Sequence, residues 1–101
     1  MEKSSALLAA MANPKRLAIL DLLVQGELPV GELANQVGLS QSALSQHLSK
    51  LRAQKLVSTR RNAQTIYYSS RSPAVRAILA TLEEIFGEAA GQPEQATASV
   101  A

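Results

Sequence analysis

The chain contains no cysteine, no tryptophan and only one histidine among its 101 residues. Without thiols it cannot form disulfides, thiolate metal sites or a cysteine nucleophile, and one imidazole cannot build a multi-histidine metal cage. Long apolar runs are also missing: the longest, residues 6–12, has seven residues, whereas a membrane-spanning helix needs about 18. These absences predict a domain without a cofactor or a metal and without contact with a membrane.

The apolar run near the start has the length of a minimal signal-peptide core. Glu2 cancels the charge of Lys3, so the positively charged end of such a peptide is missing. The run also continues directly into a patterned helix. The sequence therefore favours a packed first helix over a secretion signal, and we expect a cytoplasmic protein.

Acidic side chains are absent from the middle of the chain. No Asp or Glu lies between Glu32 and Glu83, whereas seven basic residues do: Lys50, Arg52, Lys55, Arg60, Arg61, Arg71 and Arg76. The whole chain carries only +2, so the acids gather towards its two ends. This asymmetry is typical of a surface that binds a polyanion, although a solvated basic face would give the same counts.

The length and the 47% hydrophobic content fit one domain with a single core. A monomer of this size buries only about two-thirds of its unfolded surface, so a partner subunit would add stability. Residues 88–101 are Ala, Gln, Gly, Glu, Pro, Ser, Thr and Val without periodicity. We predict a folded domain over residues 1–87 and a disordered tail over residues 88–101.

Capping residues and apolar spacing predict the helices. Asn13 and Pro14 are a typical helix start, and Gly26 and Gly38 are typical helix ends. Ser40 can cap the helix that follows. The predicted helices cover residues 5–11, 14–25, 30–37, 41–53 and 73–86. A short helix, a Gly-Leu-Ser turn and a capped helix together indicate a helix-turn-helix.

Two segments rich in β-branched and aromatic residues follow, at residues 56–59 and 65–69. They predict two strands. Residues 60–64 would join the strands, with Asn62 in the turn, so that Arg60 and Arg61 lie at the tip of a hairpin. The predicted fold class is therefore mainly α with a small β-hairpin, a winged helix-turn-helix.

The fourth predicted helix carries groups suited to reading DNA. The N-terminal residues of a second helix in a helix-turn-helix enter the major groove, and glutamine can bond an adenine edge at two points. The alternative is a polar, solvated helix face. We predict base contacts from Gln41, Ser42, Ser45 and Gln46. Contacts with phosphate or from the wing are predicted for Lys15, Ser40, Ser49, Lys50, Arg52, Arg60 and Arg61.

The single histidine, His47, falls at the edge of the Leu44–Leu48 face of the same helix. Packing or a local hydrogen bond explains it better than a metal or catalytic role. The sequence has no Ser-His-Asp arrangement and no glycine-rich phosphate loop, so we predict that the protein is not an enzyme.

Three stretches resemble the ArsR/SmtB family of winged-helix repressors. Residues 11–20 (MANPKRLAIL) are similar to the family's opening signature, and residues 45–52 (SQHLSKLR) to its recognition helix. Residues 56–57, 60–61 and 66–68 match its wing. The resemblance covers residues 5–87 and implies a homodimer on a pseudo-palindromic site in double-stranded DNA, joined through its first and last helices. The implied dimer contacts are Leu7, Leu8, Met11, Val75, Ile78, Leu79, Leu82 and Phe86.

The departures from the family concern its metal sites. Many members sense metals through cysteines beside the segment that corresponds to residues 27–31, and others bind zinc with Asp and His on the last helix. This chain has no cysteine, and residues 73–86 offer only Glu83 and Glu84 as acids. We therefore predict no metal or thiol sensing.

These observations together predict a sequence-specific repressor of transcription at the bacterial nucleoid. Residues 37–48 and 63–68 are especially similar to members that repress nodulation genes, so nodulation or symbiosis genes are the implied targets. Two alternatives stay open. One is a winged-helix module that contacts protein or RNA, and the other is a repressor of the same family that answers an unidentified small-molecule effector.

Overall fold

The computed structural model describes residues 1–87. Within them the chain forms five helices and three strands: α1 (Glu2–Met11), α2 (Pro14–Gln25), β1 (Leu28–Pro29), α3 (Val30–Val37), α4 (Gln41–Ala53), β2 (Ser58–Asn62), β3 (Thr65–Ser69) and α5 (Pro73–Phe86). The predicted winged helix-turn-helix is confirmed, with α3 and α4 as its two helices. The tail predicted for residues 88–101 lies outside the described residues.

Side-chain caps fix where the helices begin. Asn13 Oδ1 accepts hydrogen bonds from two backbone N–H groups in the first turn of α2, at 2.9 and 3.1 Å. Ser40 caps α4 and Ser72 caps α5 in the same way, at 3.1 and 3.2 Å. Gly38 ends α3 in the left-handed conformation, with φ 70°. Of these local signals, Asn13, Ser40 and Gly38 are the ones that predicted helix starts and ends.

The wing is a three-stranded antiparallel sheet in the order β1-β3-β2. The sequence predicted only a two-stranded hairpin and missed β1, whose two residues pair with Tyr67 and Tyr68 of β3. A two-residue strand is too short to show an alternating pattern. Pro29 in β1 also lacks an N–H, so it fits only at a sheet edge. Because proline is rare in strands, its presence argued against predicting a strand there.

The position of the two wing arginines corrects a prediction. Arg60 and Arg61 lie within β2, opposite Tyr67 and Ile66, and not at the tip of the hairpin. The turn is formed by the next residues, with Ala63 at φ 58°. All five residues of β2 are exposed. The strand predicted at residues 56–59 overlaps β2 only at Ser58 and Thr59, because β2 contains no apolar residue that would mark the rest of it.

Leucines from four helices form the core, which the start of the wing closes at one end. The largest fully buried apolar side chains are Ile19, Leu20, Leu23, Leu33, Leu44, Leu48, Leu51 and Val75. Tyr68 is buried against them, whereas Tyr67 is only partly buried. The buried Ser70 hydroxyl donates a hydrogen bond to the Leu56 carbonyl at 2.7 Å. One side of α4 therefore packs against the core, and its other side faces solvent.

Candidate nucleic-acid interface

The four residues predicted to contact bases lie together on one exposed face. Gln41, Ser42, Ser45 and Gln46 form the solvent side of the first two turns of α4. Leu44, Leu48 and Leu51 occupy the opposite side and are buried. The two faces follow from the helical period, which places a residue and the one four positions later on the same side of the helix. The structure thus presents a polar surface on a helix that its own leucines hold in place.

The N-terminal end of α4 attracts anions. Ser40 satisfies one backbone N–H, and the first turn contains no acidic side chain to oppose the partial positive charge of the helix N-terminus. Ser49, Lys50 and Arg52 are exposed further along α4, in its second half. The helix therefore offers polar donors and acceptors at its start and positive charge near its end.

Lys15 has a structural contact in addition to its charge. Its Nζ donates a hydrogen bond to the carbonyl oxygen of Val37 at 2.7 Å, at the C-terminal end of α3. The contact ties α2 to the turn between α3 and α4. Since an ammonium group has three N–H donors, two remain for other partners such as a phosphate.

The structure separates the two wing arginines that the sequence placed together. Arg60 Nε lies 3.0 Å from both carboxylate oxygens of Glu27, and its guanidinium stacks 4.4 Å from the centre of the Tyr67 ring. The hydrogen bond from Arg60 lowers the pKa of Glu27, and the carboxylate in turn raises the pKa of Arg60. Successive residues of a strand point to opposite faces. Arg61 therefore points away from this pair, and it makes no side-chain hydrogen bond within residues 1–87.

Glu27 is a residue that the sequence analysis missed. It lies 33 positions before Arg60, and it belongs to no sequence motif that would identify it. Only the pairing of β1 with β3 brings the two side chains together. Their solvent-exposed ion pair adds a contact between the wing and the segment after α2, while the pairing of β1 with β3 sets the position of the wing relative to the core.

His47 makes a hydrogen bond, but a long-range one and not the local one that the sequence suggested. Its Nδ1 lies 3.1 Å from Arg16 Nη1, although Arg16 is 31 positions away in the sequence. Burial, followed by the positive charges of Arg16, Lys50 and Lys15, lowers the pKa of His47 below its usual 6.5. The histidine is therefore neutral at pH 7.

The residues predicted to join two subunits divide into two groups. Leu8 and Phe86 are exposed, at 54% and 60%, and Leu7, Ile78 and Leu82 are partly buried. Met11, Val75 and Leu79 instead lie in the chain's own core, with exposures of 2%, 0% and 8%, so they offer little surface to a partner. Ile85, which the prediction omitted, is 63% exposed. A helical wheel shows one wide apolar stripe and cannot distinguish its inner part from its outer part.

Neither a metal centre nor a membrane span is present in the part of the chain that the structure describes. No three His, Asp or Glu side chains of residues 1–87 come close enough together to hold a metal ion. No helix there is sufficiently long and apolar to cross a bilayer.

The chain matches a known bacterial family and its members. A sequence model described as "Bacterial regulatory protein, arsR family" matches residues 13–59. The nodulation protein NolR of Rhizobium meliloti is 69% identical over 87 residues, which are 86% of this chain and 71% of NolR. The transcriptional activator HlyU of Vibrio cholerae is 50% identical over 93 residues, covering 88% of this chain and 86% of HlyU.

Solved structures agree with these sequence matches. The crystal structure of NolR from Sinorhizobium fredii superposes with a TM-score of 0.85 at 70% identity, covering 87% of this chain and 88% of that one. The homodimeric winged helix-turn-helix DNA-binding domain Mb0332 of Mycobacterium bovis gives a TM-score of 0.75 at 32% identity, covering 83% and 78%.

Proposed function

This chain belongs to the arsR family of bacterial regulatory proteins, and from that premise we propose that it represses transcription as a homodimer on pseudo-palindromic promoter sites. It is a DNA-binding transcription regulator and not an enzyme. Repression would follow from occupying promoter DNA that the polymerase needs. A regulator of this kind works in the cytoplasm, at the nucleoid, where the chromosome is.

The observation that carries the proposal is the exposed polar face at the start of α4, which is free of acids. A recognition helix docks with its N-terminal residues against base edges in the major groove. We assign the base contacts to Gln41, Ser42, Ser45 and Gln46, whose amides and hydroxyls can both donate and accept. We assign phosphate contacts to Lys15, Ser40, Ser49, Lys50, Arg52 and Arg61, while Arg60 lies beside them on the wing and pairs with Glu27.

Two copies would join through the apolar surface of α1 and α5. Its exposed members are Leu8, Ile85 and Phe86, and the partly buried Leu7, Ile78 and Leu82 extend it. Leu7 and Leu8 are neighbours on α1, as Ile85 and Phe86 are on α5, and exposed apolar patches mark interaction surfaces. The Mb0332 domain, which has the same fold, is homodimeric.

The target genes that we propose are nodulation or symbiosis genes. The proposal rests on the 69% identity to NolR, which is named as a nodulation protein. The residues at the start of α4 are the ones that would select these genes, because they would read the bases.

Selection from fragmented genomic DNA tests the function. Purified full-length protein is mixed with the fragments at near-physiological salt, with a chelator and excess competitor DNA. We expect recovery of a common two-fold-related motif upstream of genes, bound at least about 10³-fold more tightly than competitor. Weak, salt-sensitive binding without a motif would instead favour a winged-helix module that serves another partner or needs an effector.

Zinc should leave operator binding unchanged. The chain has no cysteine, and the described residues contain no cluster of three potential ligands. Affinity for the selected motif is measured in chelator and again with stoichiometric zinc, and we expect the same value. A clear drop with zinc would show a metal site and contradict the proposal.

Arg61→Ala should weaken binding to all DNA sequences to a similar extent. Arg61 is exposed on the wing and, in our proposal, contacts the backbone, which carries no sequence information. Losing one phosphate contact should reduce the slope of log affinity against log salt by about one. Arg71→Ala is the matched control, since it removes the same charge outside the proposed interface. An unchanged slope in the Arg61 variant would remove the wing from the interface.

A further inference from the structure

Arg16 connects three helices. Its Nε donates a hydrogen bond to the Ala10 carbonyl at 2.6 Å, and its Nη2 lies 3.5 Å from the Ala9 carbonyl. Both oxygens are at the C-terminal end of α1. In a helix, the Ala10 carbonyl oxygen would accept a hydrogen bond from the N–H four positions later. That residue is Pro14, which has no N–H, so Arg16 supplies the donor for this oxygen instead. The other side of the guanidinium contacts His47 in α4.

The contact with His47 requires a particular state of the imidazole. A guanidinium only donates hydrogen bonds and stays charged at every pH of interest. His47 Nδ1, at 3.1 Å from Arg16 Nη1, must therefore be the acceptor, which leaves the ring proton on Nε2. Protonated His47 would have no acceptor and would repel Arg16. The link between α1 and α4 thus exists only while His47 is neutral.

The charges around His47 favour this neutral state. Arg16 and Lys15 of α2 and Lys50 of α4 are the charged groups that act on it most strongly, and all are positive. Among the acids of the other packed helices, Glu32 of α3 accepts a hydrogen bond from Gln36 of its own helix. Glu2 and Lys3 lie at the far end of α1, about two turns from the carbonyls that Arg16 contacts.

We propose that Arg16 is a positioning residue for DNA binding: through neutral His47 it fixes the recognition helix α4 to α1, and protonation of His47 releases α4. The inference rests on the proposed function, in which α4 reads the DNA and α1 belongs to the dimer surface. Two recognition helices must fit major grooves about 34 Å apart. A residue that joins α4 to the dimer surface therefore helps to set that spacing.

The direction of the pH effect distinguishes loss of the Arg16–His47 link from a general effect of added positive charge on DNA binding. Because the folded protein has a lowered His47 pKa, the stability that depends on neutral His47 is complete above about pH 6.5 and is lost as the pH falls through the lowered value. Operator affinity should fall in the same window. Added positive charge alone would act in the opposite direction, since it strengthens binding to DNA.

The test measures affinity of the full chain for the selected palindromic duplex across pH at constant salt. For the wild type we expect a loss of about tenfold from about pH 7.5 to about pH 5.5, the value of one charge-assisted hydrogen bond. His47→Asn places an amide oxygen near the position of Nδ1. Because an amide does not titrate in this range, operator affinity should no longer depend on pH. The Arg16→Met variant should bind the operator about tenfold more weakly than the wild type at pH 7.5, and its affinity should not fall further as the pH is lowered. Asp21, whose pKa burial and Glu83 raise, is unchanged in both variants.

Arg76→Met is the matched control. Arg76 Nη2 also donates to a carbonyl near a helix end, that of Val24 at 3.0 Å, but it makes no hydrogen bond to α4 among the described residues. This variant should keep the wild-type pH profile. Wild-type affinity that is constant or rises towards low pH, or an Arg16→Met variant with full affinity, would overturn the proposal.

A second measurement needs no DNA and separates the two proposals. Nitrogen NMR of the single histidine should report a proton on Nε2 in the neutral ring. Hydrogen exchange of α4 amides, corrected for intrinsic rates, should accelerate in Arg16→Met and in the wild type at low pH. Unchanged exchange contradicts the positioning role. Failure of the genomic selection with accelerated exchange would instead reject the DNA site and keep the link.

Discussion

Phe86→Asp should convert the protein from a dimer to a monomer and lower its affinity for a two-fold symmetric site by about 100-fold or more. Phe86 lies on the same side of α5 as Val75 and Leu79, but two turns beyond Leu79, where it is 60% exposed. An aromatic side chain can bury about 150–250 Å² in an interface, whereas a carboxylate there costs several kcal/mol. A monomer carries one α4 and loses the second set of contacts.

Sedimentation and operator titration measure the two parts of this result. Ala80→Asp is the matched control, because Ala80 is an exposed residue of α5 that the helical period places well away from its apolar stripe. That variant should stay dimeric and bind normally. Thermal unfolding shows whether each variant is folded. A folded Phe86→Asp protein that still sediments as a dimer would contradict the assignment of this surface.

Gln46→Ala should cost about 1–3 kcal/mol on the best site and relax the preference at one base pair. Gln46 is exposed in the second turn of α4, and truncation removes both the donor and the acceptor of its amide. The effect is measured by titrating a set of duplexes with single-base changes at constant salt. Gln41→Ala should behave in the same way at another base pair.

Gln54→Ala provides the comparison for both glutamines. Gln54 is exposed at the C-terminal cap of α4, far from the first turns, so its loss should leave sequence preference intact. If Gln46→Ala weakens every duplex equally, the residue contacts the backbone and the assignment of base reading to it is wrong.

The helices could be predicted from the sequence because their signals are local. Asn13, Ser40 and Ser72 cap backbone groups two or three residues away, and Gly38 ends its helix through its own conformation. The same holds for the face of α4, since the helical period alone separates its leucines from its glutamines and serines.

The missed features depend on contacts between distant parts of the chain. Glu27 pairs with Arg60 across 33 positions, and Arg16 meets His47 across 31. No composition or spacing identifies such partners in one sequence. The exposed Phe86 and the buried Val75 share the apolar stripe of α5, and only the extent of the core along α5 separates them.

The fully exposed strand β2 has a consequence for how such a regulator diversifies. Its residues contribute nothing to the core, and surface substitutions usually change stability by no more than about 0.5 kcal/mol. Ser58, Thr59, Arg61 and Asn62 can therefore change while Arg60 keeps its pair with Glu27. Gene duplication followed by drift at these four positions would alter the proposed backbone contact of Arg61 at little cost in folding. A library randomised there offers the same route to altered overall DNA affinity in the laboratory.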